Sequence, residues 1–154
     1  MSLKIEIPTE PVITITHLVL DFSGTLATNG ILLSGVANRL TKIAEQLKIV
    51  VLTADTYGMA AQSLKGMPCE VHVVQTGHEK AEFIKRIGTQ NVIAIGNGQN
   101  DVDMVRLAAV GIAVVGFEGA SGELLLEARM VVCDICTALD LVLNPIRLVA
   151  TLRK

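Results

Sequence analysis

The chain has 154 residues, of which 51% are hydrophobic but only 3% aromatic. It carries a formal net charge of -2, with a pI near 5.9. That length suits a single domain over residues 1–154 with a sizeable core of Val, Ile, Leu and Ala, which favours parallel strands packed under helices over an aromatic-rich sandwich. With no basic excess and no apolar run long enough to span a bilayer, neither a nucleic-acid nor a membrane partner is expected.

Residues 3–7 alternate apolar and polar side chains, as a half-exposed strand does. A turn with Pro8 and Pro11 follows, and residues 12–20 read as one longer strand pairing with the first. Its last residues, Leu18, Val19 and Leu20, form an apolar run that stops at Asp21. A charge there sits just beyond the carboxyl end of a buried strand, where open α/β sheets bind ligands. Gly24 lets the chain turn, and Asn29 with Gly30, between apolar segments, signals a tight hairpin. The spacing predicts a small β-flap standing over the mouth of the Asp21 loop.

Ser34 is expected to cap a helix whose apolar face is Val36, Leu40, Ile43, Ala44 and Leu47. Residues 49–52 read as a buried strand ending at Thr53. A second helix, capped by Asp55 or Thr56, then runs to about Leu64. Residues 70–75 form a strand and 79–87 a helix stopped by Gly88, with His78 as its expected cap. A strand over 91–95 runs into the loop Gly96, Asn97, Gly98, Gln99, Asn100, Asp101. A helix with Met104, Val105 and Ala108, a strand over 111–115, a helix over 121–128 and a strand over 129–133 complete the alternation. From Ala138 onward the chain reads as helical, with Pro145 opening or kinking the last helix. The expected architecture is a doubly wound, Rossmann-like parallel sheet flanked by helices, with the flap after the first core strand.

Several strands therefore end in polar residues: Asp21, Thr53 and the loop from Gly96 to Asp101, with Lys80 on the helix before that loop. In a doubly wound sheet these ends converge. A carboxylate, a hydroxyl, an ammonium and a glycine-rich loop suit a phosphoryl group and its metal. Asp21 would be the nucleophile, Thr53 and Lys80 would hold phosphoryl oxygens, and the acidic loop would hold Mg2+. Other polar residues have plainer roles. His17 reads as a packed histidine, and Asp103 as exposed in the first turn of its helix. Gly96 and Gly98 lack the third glycine of a dinucleotide loop. Cys133 and Cys136 have C-x-x-C spacing without a second pair, and read as buried structural cysteines. Three cysteines, an odd number, and a charged amino terminus point to a reducing, cytoplasmic setting.

These four pieces, in this order, resemble the haloacid dehalogenase superfamily of phosphohydrolases. The family's first motif, a strand followed by D-x-D-G-T or D-K-T-G-T-L-T, stands here as Asp21, Phe22, Ser23, Gly24, Thr25, Leu26, Ala27. Thr53 resembles the second motif, Lys80 (with Lys85 as the lesser candidate) the third, and residues 96–101 the G-D-G-x-N-D motif. The resemblance implies catalytic roles for Asp21, Ser23, Thr53 and Lys80. It also implies phosphate binding by Gly24, Thr25, Ala54 and Asn100, and Mg2+ binding by Asp21, Ser23, Asn97 and Asp101. The segment from Ala138 onward resembles the helix after the last motif in the P-type ATPase branch. The intervals between motifs leave room for no cap domain, so the chain looks like a capless soluble relative. It is then similar to tetrameric sugar-phosphate phosphatases, and a homo-oligomer, dimer or tetramer, is expected on a small phosphorylated substrate.

The pattern is broken at two positions. Ser23 stands where the family's phosphatases place an acid/base Asp, and Asn97 where they place a metal-binding Asp. Losing a general acid/base costs on the order of 10²–10⁴ in rate. The expectation is a slow or specialised Mg2+-dependent phosphatase. Its competitor is a catalytically silent binding or regulatory module on the same fold.

Overall fold

The computed structural model describes residues 1–55 and 57–154. A short antiparallel hairpin comes first, β1 (Leu3–Ile5) with β2 (Ile13–Ile15). The single strand expected over 12–20 is in fact two. After Ile15 the chain breaks step at Thr16, whose amide donates to the Asn91 carbonyl, and β3 (His17–Leu20) enters the main sheet. The flap forms as expected from β4 (Ala27–Thr28) and β5 (Ile31–Leu32), with Asn29 and Gly30 at φ 53° and 75° in the turn.

Next come α1 (Val36–Ile43), β6 (Lys48–Thr53), α2 (Met59–Ser63), β7 (Glu70–Val73) and α3 (Gly77–Ile87). They are followed by β8 (Val92–Gly96), α4 (Val102–Leu107), β9 (Val110–Val114), α5 (Gly122–Glu127) and β10 (Met130–Val132). The chain closes with α6 (Ile135–Leu143) and α7 (Pro145–Leu152), bent by 102° at Asn144 ahead of the expected proline break.

Two expected caps are corrected. Gly35, left-handed, precedes α1 in place of Ser34. Thr76, not His78, caps α3 by accepting from the Glu79 amide. The last helical segment starts earlier than Ala138, because Asp134 accepts from the Thr137 amide and so opens α6 at Ile135.

The main sheet is wholly parallel, in the order β10, β9, β8, β3, β6, β7. β3 is central, and the chain winds from it first through β6 and β7 and then through β8, β9 and β10. The carboxyl end of β3 is thus the point where the winding reverses, the place such sheets keep for a ligand. Alternation along the strands feeds both faces. Leu18, Leu20, Ile49 and Val51 join the core under the hairpin, α1, α6 and α7, while Val19, Val50 and Leu52 face α3, α4 and α5. Among the described residues no single helix is long and apolar enough to cross a membrane.

The cysteines are not buried as expected. Cys133 is exposed, while Cys69 and Cys136 are half-buried, with Cys136 Sγ donating to the Ser34 carbonyl at 3.3 Å. Thr56, an expected helix cap, lies outside the described residues.

Candidate active site

Asp21 follows β3 and is fixed from both sides of the chain. Its amide donates to the Ile95 carbonyl at 3.0 Å, and the next carbonyl, that of Phe22, accepts from Leu26 and Ala27 at 2.9 and 3.1 Å. Phe22 itself is buried in the core, so the loop curls around an anchored residue. Gly24 sits at φ 78°, and a Cβ there would collide with the side-chain amide of Asn97. Both the backbone angle and the space call for glycine.

Lys80 comes up from α3 and is fully buried, with 0% of its surface exposed. Its Nζ donates to Asp21 Oδ1 and to Asp101 Oδ1, each at 2.8 Å. Lys85, the lesser candidate, pairs with Glu82 at the surface instead. The other Asp101 oxygen accepts from the amides of Asn97 (3.1 Å) and Gly98 (3.0 Å), so that carboxylate holds the loop after β8 closed over Lys80. Burial pushes the Asp21 pKa up to about 6, helped by the neighbouring Asp101 and opposed by Lys80. Burial also works against the charge on Lys80, but the two carboxylates outweigh it and raise its pKa above the usual lysine value.

The Thr25 hydroxyl lies 3.2 Å from Asp21 Oδ2 and 3.1 Å from Asn97 Oδ1, and its single proton serves one of them at a time. The Asn97 amide nitrogen donates to the Gly119 carbonyl at 3.2 Å. Two oxygens of the kind a hard cation takes, Asp21 Oδ2 and Asn97 Oδ1, therefore flank the Thr25 hydroxyl, and Ser23 is exposed on the same pocket. Among the described residues there is no cluster of three acidic, His or Cys side chains. The donor set is one carboxylate plus neutral oxygens. That fits Mg2+, which keeps several waters and takes one or two carboxylates together with substrate phosphate.

Above these groups opens a pocket of about 390 Å³ lined by Asp21, Ser23, Thr53, Ala54, Asp55, Tyr57, Asn97, Gly98 and Asn100. The structure thus brings Asp21, Ser23, Thr53, Ala54, Asn97 and Asn100 to one cavity, with Gly24, Thr25, Lys80 and Asp101 not among its lining residues. Asp55 does not cap α2 as expected, since left-handed Gly58 holds that position, but its carboxylate accepts from the amides of Tyr57 (3.1 Å) and Ala60 (2.6 Å) just ahead of the helix and within its first turn. A larger cleft, of about 550 Å³, lies at the amino ends of the strands. Among the described residues its one ionisable lining side chain, Glu10, is already paired with Arg129. His17 is partly buried beside Thr16 and Lys48, its pKa lowered by burial, and His78 is exposed. Asp103 is half-buried and paired with Arg106.

Two contributors escaped the sequence reading. Gly119, which orients Asn97, is brought in by a loop after β9 and has no motif to mark it. Gly77 lets α3 start against the backbone of Asn100, where a Cβ would come within 2.7 Å of its carbonyl. A glycine one residue after the Thr76 cap was the available signal.

A family model described as haloacid dehalogenase-like hydrolase matches residues 23–133. An uncharacterised protein of Methanocaldococcus jannaschii is 47% identical over 72 residues, covering 47% of this chain and 77% of that protein. Among solved structures, the 3-deoxy-D-manno-octulosonate 8-phosphate phosphatase of Moraxella catarrhalis, in complex with magnesium, phosphate and KDO, superposes with a TM-score of 0.66. The two are 16% identical, and the match covers 90% of this chain and 94% of that one. The cobalt-bound deoxy-D-mannose-octulosonate 8-phosphate phosphatase from Haemophilus influenzae gives a TM-score of 0.70 at 11% identity, covering 84% and 88%. A zinc-transporting P-type ATPase gives 0.65 at 20% identity, covering 78% of this chain but 20% of the transporter. At these identities the likeness to the solved structures is one of fold.

Proposed function

The chain belongs to the haloacid dehalogenase-like hydrolases, and from that membership we propose that it hydrolyses a small phosphomonoester through a covalent intermediate on Asp21. The observation that carries this reading is the buried Lys80 bridging Asp21 and Asp101 at 2.8 Å each, beneath a pocket at the carboxyl ends of β3, β6 and β8. A fully buried ammonium between two carboxylates is costly to desolvate, and such arrangements cluster where chemistry needs them.

In the proposed reaction an Asp21 carboxylate oxygen attacks phosphorus and the bond from phosphorus to the ester oxygen breaks. The departing alkoxide takes its proton from water, because Ser23 has no acidic proton to give at neutral pH. Water then cleaves the acyl phosphate, releasing inorganic phosphate and restoring the carboxylate. Thr53 and the loops that carry Ala54 after β6 and Asn100 after β8 hold the phosphoryl oxygens, while Lys80 supports the phosphoryl site from beneath through Asp21. Gly24 and Thr25 shape the turn that presents them. Mg2+, when bound, supplies charge stabilisation for the phosphoryl group. Asp21, the Ser23 carbonyl and the Asn97 amide oxygen would hold it, with Asp101 steadying the loop. We further infer that the protein works on a soluble substrate in the cytoplasm, as a homo-oligomer of two or four copies.

The test is turnover of an aryl phosphate with Mg2+ by wild type, Asp21→Asn and Ser23→Asp. Activity lost in Asp21→Asn supports the reading. Ser23→Asp should raise kcat by about 10²-fold or more, in line with the usual contribution of a positioned acid/base. Silence from wild type and Ser23→Asp alike would favour a binding module and overturn the enzymatic reading.

A further inference from the structure

The pocket wall beyond the phosphate cradle has a character of its own. Tyr57 lines the pocket and is 90% exposed. Beside it, Met59 is 44% exposed, and its terminal methyl fills the space that a Cβ on Gly30 would need. The flap is fastened to α2 there, since Ser63 Oγ donates to the Gly30 carbonyl at 2.8 Å. The next flap residue, Ile31, is 73% exposed. Tyr57 thus leads into a helix that is fastened to the flap, and its own backbone is held by the Asp55 carboxylate.

The charge of the lining points the same way. Among the described residues no Lys or Arg lines the pocket, and its two acidic members are Asp21 and Asp55. Lys80 lies below with its charge committed to two carboxylates. A second anionic group on a substrate would meet no counter-charge and would face two acids.

Resting on the hydrolase reading above, we propose that the organic part of the substrate carries no second negative charge and presents an aromatic or similarly flat apolar face, which Tyr57 receives. Tyr57 is then a specificity-determining residue acting on binding, while the cradle below performs the chemistry.

The experiment compares phenyl phosphate, 4-carboxyphenyl phosphate and glycerol 1-phosphate as substrates with Mg2+, for wild type, Tyr57→Ala and Tyr57→Phe, with Asp21→Asn as the blank. The carboxylate makes the phenol no poorer a leaving group, so discrimination against it reports the site. Wild type should favour phenyl phosphate over the carboxylated ester by about tenfold or more in kcat/KM. Tyr57→Ala should raise KM for phenyl phosphate about three- to tenfold with kcat kept, the span expected for one lost ring contact. Tyr57→Phe should behave as wild type, and glycerol 1-phosphate should be indifferent to both changes. Equal or better turnover of the carboxylated ester would overturn the proposal while leaving the hydrolase reading standing. So would a Tyr57→Ala loss shared by all three esters, or one that tracks a change in oligomer mass. Turnover of none of the three above the Asp21→Asn blank, by wild type and by Ser23→Asp alike, would remove the hydrolase reading itself, and this inference with it; where Ser23→Asp alone turns over, the same Tyr57 comparisons are read in that background.

Discussion

Replacing Asp21 with Asn should abolish turnover and at the same time make the metal-free protein more stable. The carboxyl is nearly buried, and its pKa rises from 3.8 to about 6 on folding, even with Lys80 against it. A group whose folded pKa lies above its unfolded value binds its proton more tightly when folded. Its contribution to stability is whole below pH 3.8 and lost as the pH climbs through about 6. Ionised Asp21 at pH 8 therefore costs about 3 kcal/mol, from roughly two units at 1.36 kcal/mol each. An Asn of the same shape avoids that cost and still accepts from Lys80. With unfolding entropy near 2.1 cal/mol/K per residue, a chain of 154 residues gains about 9 °C in Tm from 3 kcal/mol. The assay is thermal unfolding by circular dichroism in EDTA from pH 4.5 to 8. The variant's advantage should be small at the acid end and reach several degrees above pH 7. An Asp21→Asn protein less stable than wild type at pH 8, or an advantage independent of pH, would refute the electrostatic account of this cluster.

Lys80→Met should destabilise by about 3–5 kcal/mol in urea unfolding, because it leaves Asp21 and Asp101 facing each other without their shared cation. A Cβ at position 96 would lie 2.5 Å from the Asp101 carboxylate carbon. Gly96→Ala should therefore cost about 1–3 kcal/mol through overpacking, read in the same urea titration, and cut activity by displacing Lys80. Asn97→Asp restores a second carboxylate beside Thr25, and calorimetric titration with Mg2+ should show at least about tenfold tighter binding than wild type.

The arrangement of strands and helices was legible because periodicity is a local property. An apolar run ending in Asp21, the Asn29 and Gly30 pair, and the Gly88 stop after α3 each act within a few residues, and each appears where its chemistry predicts. The four motif pieces were legible for the same reason, since each lies on one short segment. What local pattern could not supply were outcomes that depend on distant partners. Residues 12–20 carry one apolar pattern, yet Thr16 breaks them because β2 must pair with β1 while β3 is claimed by β6 and β8. Lys80 and Lys85 look alike on one helix, and only the inward turn of α3 sends the first to Asp21 and the second to solvent. Cys133 and Cys136 have the composition of core residues, but the start of α6 at Asp134 leaves the first outside. The Asn97 side chain is oriented by Gly119, 22 residues away, through a backbone carbonyl that any residue type would provide. Its orientation is thus invisible in composition, and it follows from the packing of the loop after β9 against the carboxyl end of β3.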